Sequence, residues 1–216
     1  MNDIKNLVFD LGGVIVDLEV APALKEFAGL GLLPAGVSLE QISRQGFPRE
    51  WPLARLIHRM DCGEIDTPTF FAILRREHGI EASDERLAQA FNRVILLRKI
   101  RLEWLCALRK RYRVFLLSNL SDLHWQETRR QALALGIPIE ECFDEVFLSY
   151  RLRMAKPDPR IFQHLIQTTG IVPGETLYID DLPDNIEAGA RAGLRAHKIE
   201  SNTLEWALPK LFPELL

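Results

Sequence analysis

Five short apolar segments constrain the fold of this chain more than any other feature, because most of them end in a polar or acidic residue and helical sequence separates most of them. They are residues 5–10, 113–118, 145–149, 176–180 and 194–199. Strands that alternate with helices indicate a parallel sheet with helices on both faces. Near-continuous apolar stretches such as residues 114–117 suit strands that are buried on both sides. The sequence therefore predicts an α/β fold built on a doubly wound, Rossmann-like parallel sheet.

Three of the helices between the strands have clear ends in the sequence. They are predicted over residues 123–135, 159–169 and 183–192. A glycine directly follows each of them. Glycine readily adopts the left-handed conformation in which helices commonly end, so these boundaries are expected to be sharp.

The alternation is interrupted over residues 17–95, where the sequence predicts helices and no strand. Apolar residues recur at spacings of three and four in residues 68–78 and 84–95, as on the buried face of amphipathic helices. We therefore expect two structural units. Residues 1–16 and 96–216 form the α/β core, and residues 17–95 form a helical insertion after the first strand.

Composition and charge exclude several classes of partner. The 216 residues carry a formal net charge of −3, so the chain offers no basic surplus to nucleic acid or anionic lipid. No apolar stretch reaches the roughly 18 residues needed to cross a bilayer, and no signal peptide is predicted. The three cysteines are odd in number and lie among apolar neighbours, as expected of free thiols in a reducing compartment. A cytoplasmic location is predicted.

Reactive side chains follow the predicted strands at their carboxyl ends, where open parallel sheets bind their ligands. Asp10 ends the first segment, and Ser118 with Asn119 ends the second. Lys156 follows the third, and the pair Asp180–Asp181 ends the fourth, with Asp184 just beyond. The carboxylates of Asp10, Asp180 and Asp181 are expected to converge at one edge of the sheet.

Converging carboxylates repel one another unless a cation relieves them. Oxygen ligands without histidine or cysteine select a hard divalent ion, and magnesium needs only one or two carboxylates. Asp10 would then attack phosphorus and form an aspartyl-phosphate. The Ser118 hydroxyl, the Asn119 N–H and Lys156 would hold the other phosphoryl oxygens. Gly12 and Gly13 would let the backbone turn sharply and bring a carbonyl to the metal.

Each of these features alone has a structural explanation. An aspartate before glycine is common in turns, and Ser118–Asn119 suits a helix cap. Lys156–Pro157 and the residues after it form a good helix entry. Adjacent carboxylates at the end of a buried strand are the feature that is hardest to explain without a partner. His124 and Trp125, which follow the second strand, are further candidates to face the site.

The chain resembles the haloacid-dehalogenase-like (HAD) hydrolases along nearly its whole length, and four motifs carry the resemblance. The motifs are Phe9 to Asp17, Leu116 to Asn119, Lys156 to Asp158, and Ile179 through Asn185. More narrowly, the chain is similar to bacterial sugar-phosphate phosphatases of the glucose-1-phosphatase type. The resemblance implies an HAD core with a helical cap, and a magnesium site formed by Asp10, the Gly12 carbonyl and Asp181, with Asp180 beside them.

One position departs from most phosphatases of the family. They carry a second aspartate two residues after the nucleophile, as the acid and base for the leaving group, and here that residue is Gly12. The glucose-1-phosphatase-like relatives also have glycine there. Asp17 is a candidate substitute.

The expected function is therefore magnesium-dependent hydrolysis of a small phosphomonoester, with a sugar phosphate favoured, by a monomer or weak homodimer. A metal-independent 2-haloacid dehalogenase is one alternative, although the pair Asp180–Asp181 argues for phosphoryl chemistry. A non-catalytic phosphate-binding regulator on the same fold is the other, and the missing aspartate at Gly12 supports it.

Overall fold

The computed structural model describes residues 3–33 and 51–215. The strands in these ranges are β1 (Asn6–Phe9), β2 (Val16–Leu18), β3 (Ile95–Leu97), β4 (Arg113–Ser118), β5 (Glu145–Leu148), β6 (Thr176–Asp180) and β7 (Arg195–Lys198). The α-helices are α1 (Val20–Gly29), α2 (Pro52–Asp61), α3 (Thr67–His78), α4 (Asp84–Asn92), α5 (Lys99–Leu108), α6 (Asp122–Ala134), α7 (Ser149–Leu152), α8 (Pro159–Thr169), α9 (Pro183–Arg191) and α10 (Leu204–Leu211).

Five of these strands form a parallel sheet in the order β5-β4-β1-β6-β7. Alternate residues of β1 point to opposite faces, so Leu7 and Phe9 belong to one hydrophobic cluster and Val8 to another. Helices α5, α6 and α10 contribute to the first cluster, and α8 and α9 to the second. The predicted doubly wound α/β sheet is confirmed.

The predicted helix over residues 159–169 has the same bounds as α8, and Gly170 ends it in the left-handed conformation with φ 65°. The helix predicted over residues 84–95 is shorter than expected, since α4 ends at Asn92 and Ile95 begins β3. Strands β2 and β3 pair antiparallel, with Asp17 opposite Leu96. The expectation of no strand in residues 17–95 is therefore wrong at both ends, because three-residue strands are too short to show an alternating pattern.

Helices α1 to α4 share a hydrophobic cluster of their own. Phe70 packs edge-to-face on Phe91 with ring centroids 5.0 Å apart, and the Phe27 ring lies 4.7 Å from that of Phe91, centroid to centroid. Leu123 of α6 joins this cluster and so links it to the sheet. The predicted insertion also includes residues 34–50, which lie outside the described ranges, and its boundaries stay a prediction.

The three cysteines are free, as predicted. Cys106 and Cys142 nevertheless lie close together, with 3.1 Å between their Sγ atoms. Among the described residues, the helices are too short or too polar to cross a membrane.

Candidate active site

Three carboxylates meet at the carboxyl edge of the sheet, beyond β1 and β6. Asp10 follows β1, and its N–H donates to the Ile179 carbonyl of β6 over 2.9 Å. Asp180 ends β6, and Asp181 follows it. Carboxylate oxygens of Asp10, Asp180 and Asp181 lie within 4.8 Å of one another. The structure thus brings together the three acids that the sequence placed at the ends of two separate strands.

Lys156 is buried between two of these acids. Its Nζ lies 2.9 Å from Asp10 Oδ1 and 2.7 Å from Asp180 Oδ2. Burial opposes its charge, but the two carboxylates raise the pKa of Lys156 above its usual value, so it remains an ammonium. The Asn119 side chain positions the lysine backbone, because its amide donates to the Lys156 carbonyl and its oxygen accepts from the Lys156 N–H, both over 2.8 Å.

Asp180 is the most heavily hydrogen-bonded of the three acids. Besides Lys156, it accepts from the Tyr178 hydroxyl over 2.5 Å, the Leu182 N–H over 2.8 Å and the Asn185 amide over 3.1 Å. Burial alone would raise the pKa of Asp180, but the charge and hydrogen bond of Lys156 bring it below its usual value. Asp180 is therefore an ionised anchor for the lysine.

The pKa values of Asp10 and Asp181 are shifted in the opposite direction from that of Asp180, above their usual range. Burial raises the pKa of Asp10 to about 6, although Lys156 lowers it, and the charge of Asp180 adds to the increase. Burial also raises the pKa of Asp181, against a hydrogen bond from Ser201. Two carboxylates with raised pKa values, one buried and one half-buried, suit a divalent cation, since its charge would favour their ionised form. The donor set contains only oxygen, which fits magnesium.

The turn after Asp10 depends on Gly13. This residue has φ +73°, and its N–H donates to the Val16 carbonyl over 2.8 Å. Its carbonyl accepts from the Asn202 N–H over 2.6 Å, which connects the turn to the loop after β7. A Cβ atom on Gly13 would lie 2.3 Å from Asp181 Oδ2. The turn therefore requires glycine both for its backbone angle and for the space beside Asp181.

We expect Gly13→Ala to destabilise the protein by roughly 1–3 kcal/mol, because alanine is strained at this φ and would displace Asp181. Urea unfolding measures the change. Gly12→Ala is the matched control for stability, since its Cβ would lie 3.6 Å from Leu18, an ordinary contact, and should cost less than about 1 kcal/mol. An equal loss in the two variants would contradict this account of the turn.

Asp17 does not take the place of the missing aspartate. Its carboxylate is buried in an ion pair, 2.6 Å from the Arg101 guanidinium and 2.6 Å from that of Arg98. Arg101 is itself buried and also donates to the Val14 and Ile15 carbonyls over 3.2 Å. Asp17 therefore connects the β2–β3 pair to α5 through its ion pairs and does not serve as an acid. The expectation that Asp17 replaces the missing aspartate is wrong.

The remaining candidates are distributed as follows. Ser118 is buried at the end of β4. Asp184 is exposed in the first turn of α9 and lies outside the group of three acids. Trp125 is buried in the sheet's hydrophobic cluster, and the His124 ring lies 3.3 Å from the Phe91 carbonyl, so these two residues pack instead of facing the acids.

Sequence reasoning missed Tyr178 and the loop at Ser201 and Asn202. Tyr178 had a detectable signal, because residues two apart on a strand share a face and Asp180 follows at that spacing. Ser201 and Asn202 had none, since neither contact follows a local pattern: Ser201 bonds to Asp181 from the loop after β7, and the bond from Asn202 to Gly13 spans most of the chain.

Residues 4–193 match the haloacid dehalogenase-like hydrolase family. The chain therefore belongs to this family, and the predicted membership is confirmed.

Two similar proteins from Bacteroides thetaiotaomicron extend this result. The chain is 34% identical over 209 residues to a D-ribitol-5-phosphate phosphatase, covering 94% of this chain and 95% of that protein. The crystal structure of an HAD-family enzyme from that organism is 29% identical, with a TM-score of 0.84 over 97% of this chain and 98% of the other. The wild-type enzyme in complex with magnesium and inorganic phosphate gives a TM-score of 0.82 at 29% identity, over 97% and 99% of the two chains. These findings agree with the predicted phosphatase activity and magnesium cofactor.

Proposed function

We propose that this protein is a magnesium-dependent phosphatase that hydrolyses a small sugar or polyol phosphate. The observation that carries the proposal is the cluster of Asp10, Asp180 and Asp181, whose oxygens lie within 4.8 Å of one another around the buried Lys156. A nucleophilic carboxylate, a fixed ammonium and a second acid for a metal are the parts that phosphoryl transfer to aspartate requires.

Asp10 is the nucleophile in this proposal. Its Oδ1 accepts from the Leu11 N–H over 2.7 Å and lies 2.9 Å from Lys156 Nζ. Both contacts fall on Oδ1, so Oδ2 is the oxygen that we expect to attack phosphorus. Lys156, the Ser118 hydroxyl and the Asn119 N–H would bind the phosphoryl oxygens, where negative charge accumulates during transfer.

Asp10, Asp181 and the Gly12 carbonyl would hold the magnesium ion. When bound, magnesium neutralises charge between the anionic nucleophile and the anionic ester. Asp180 was also predicted as a metal ligand, but its two oxygens already accept from Lys156, Tyr178, Leu182 and Asn185. We propose that Asp180 does not bind the metal and is a positioning residue, which holds Lys156 ionised and in place.

The helices between β2 and β3 form the proposed cap, and residues 1–16 and 96–216 form the proposed core. Support comes from the separate hydrophobic cluster of α1 to α4. A cap that covers the carboxyl edge of the sheet favours a small ester over a phosphoprotein or nucleic acid. The net charge of −3 also disfavours nucleic acid. A cytoplasmic location and a monomer or weak homodimer complete the proposal.

The nature of the alcohol is proposed from the curated relative. That protein acts on D-ribitol 5-phosphate, and the match extends over 94% of this chain. Polyol and sugar phosphates are therefore the first substrates to test.

Dehalogenation and phosphate sensing are the competing functions. An aspartate that attacks carbon needs no second acid for a metal, so the placement of Asp181 beside Asp10 favours phosphorus. A non-catalytic sensor has no need of a nucleophile held by an ammonium.

Phosphate release from a panel of sugar and polyol phosphates, p-nitrophenyl phosphate included, tests the function directly. We expect turnover with magnesium, its loss with a chelator, and its return when magnesium is restored in excess. Chloride release from 2-chloropropionate in the same preparation should be absent. Turnover that survives chelation would contradict the metal dependence, and inactivity on the whole panel would favour the sensor.

A further inference from the structure

Asp61, at the C-terminal end of α2, is a half-buried acid that the mechanism above does not use. Its Oδ1 is enclosed and has no hydrogen-bond partner within the described part of the chain. An unpaired buried carboxyl oxygen is costly, so a native protein that keeps one invites a functional explanation.

Contacts to the loop after β4 place Asp61 at the active-site edge of the sheet. The Ser149 hydroxyl donates to the main-chain carbonyl of Asp61. The oxygen of that hydroxyl in turn accepts from the Leu120 N–H over 3.0 Å. The Asp61 carboxyl also interacts with the Ser121 N–H. Leu120 and Ser121 directly follow the phosphate-binding candidates Ser118 and Asn119. Asp61 therefore lies beyond the carboxyl ends of β4 and β5, on the helical segment that faces the sheet.

This position matches the side on which a leaving group must lie. In phosphoryl transfer the attacking and leaving oxygens lie roughly in line on opposite sides of phosphorus. Asp10 attacks from the end of β1, so the leaving alcohol points away from the sheet, toward the helical segment. Gly12, which has no side chain, cannot supply the proton that an alkoxide needs.

The state of ionisation suits the role. Burial raises the pKa of Asp61 to about 7, and the Ser121 N–H opposes the increase. Cys62 and Glu64 share its turn, and Asp122 begins the helix opposite. An acid whose pKa lies near the working pH can both give and receive a proton.

We propose that Asp61 is the general acid and base of the reaction, in place of the carboxylate missing at Gly12; the assignment rests on the proposed phosphatase function. Asp10 forms a bond to phosphorus as the ester P–O bond breaks, and the leaving oxygen takes the proton of Asp61. Water then attacks the aspartyl-phosphate and gives its proton to the Asp61 carboxylate. The products are the alcohol and phosphate, with both aspartates restored.

The competing explanation is structural, since an acid near the first N–H groups of α6 would also stabilise that helix. The two roles differ in their dependence on the leaving group. A nitrophenolate departs without protonation, whereas a sugar alkoxide does not. A structural defect would slow both esters alike.

The test is Asp61→Asn, which keeps the shape of the side chain and an acceptor for Ser121. The kcat/KM is measured on p-nitrophenyl phosphate and on the faster of D-ribitol 5-phosphate and glucose 6-phosphate. We expect at least about a hundredfold loss on the alkyl ester and less than about threefold on the aryl ester. Asp66→Asn is the matched control, because Asp66 is exposed and asparagine can keep its hydrogen bond from the Thr69 N–H; it should change both values less than about twofold.

An equal loss on both esters, or no loss on the alkyl ester, would overturn the role of Asp61. A wild-type protein inactive on both esters would overturn the phosphatase function itself. If Asp61→Asn does not fold, the wild type is assayed on a series of aryl and alkyl phosphates. A rate that changes little with the basicity of the leaving alcohol supports an internal acid, and a steep fall overturns it.

Discussion

Replacement of Asp10 by asparagine is expected to reduce magnesium-dependent phosphate release by at least about a thousandfold, because an amide cannot form the phosphoryl-enzyme. The loss should appear in kcat on aryl and alkyl esters alike, since the nucleophile is needed whatever the leaving group. This pattern distinguishes Asp10 from Asp61, whose replacement should spare the aryl ester.

The same substitution is expected to make the metal-free protein more stable near neutral pH. The folded-state pKa of about 6 lies above the ordinary value of 3.8, so folding favours the protonated form of Asp10. The stability that this proton provides is present below the unfolded pKa and is lost as the pH rises through about 6. Asparagine avoids this loss, and the gain should be about 1–3 kcal/mol near pH 7 and much smaller near pH 4.

Urea unfolding in the presence of chelator, at several pH values, measures this gain. Asp3→Asn is the matched control, because Asp3 is exposed and should change neither stability nor turnover appreciably. An Asp10→Asn protein that is less stable than wild type near neutral pH would show that the ionised carboxylate stabilises the fold. Turnover within tenfold of wild type would remove Asp10 as the nucleophile.

The core of the fold was readable from the sequence because its signals are local. Each strand of the sheet is an apolar segment followed by a polar group, and parallel connection brings their carboxyl ends to one edge. This rule places Asp10 beside Asp180 and Asp181 although 170 residues separate the first two. The short pair β2–β3 was not predicted from the sequence, because its two strands lie on either side of the helical segment in the chain.

The roles of individual acids were less readable. An acid paired with arginine and an acid with an enclosed, unpaired oxygen look alike in a sequence, yet Asp17 is of the first kind and Asp61 of the second. Only the neighbours distinguish them, and those neighbours are distant in the chain: Arg101 for Asp17, and Ser121 with Ser149 for Asp61.

Lys156→Met is the second substitution with a large expected effect. It removes the ammonium that lies 2.9 Å from Asp10 and 2.7 Å from Asp180, and leaves two buried carboxylates without a counter-ion. Loss of one partner from a buried ion pair typically costs about 3–5 kcal/mol. Turnover should also fall by at least about a hundredfold, since the substitution removes the charge that we propose to bind the phosphoryl oxygens.

The loss of stability should depend on pH and on Asp10. It should be smaller near pH 5 than near pH 7, because the carboxylates can then take up protons in place of the lysine charge. Asp10→Asn should stabilise the Lys156→Met protein more than it stabilises wild type, since Asp10 then has no positive neighbour. Urea unfolding of the four proteins in the presence of chelator forms the double-mutant cycle.

Lys198→Met provides the control for this cycle. Lys198 lies 3.4 Å from Glu200 in an exposed pair, and its replacement should cost less than about 1 kcal/mol. If Lys156→Met were as stable as this control near neutral pH, the two acids would have to be neutral in the metal-free protein. Asp180 could then not be the ionised anchor of the site, and the lysine would serve to bind phosphate alone.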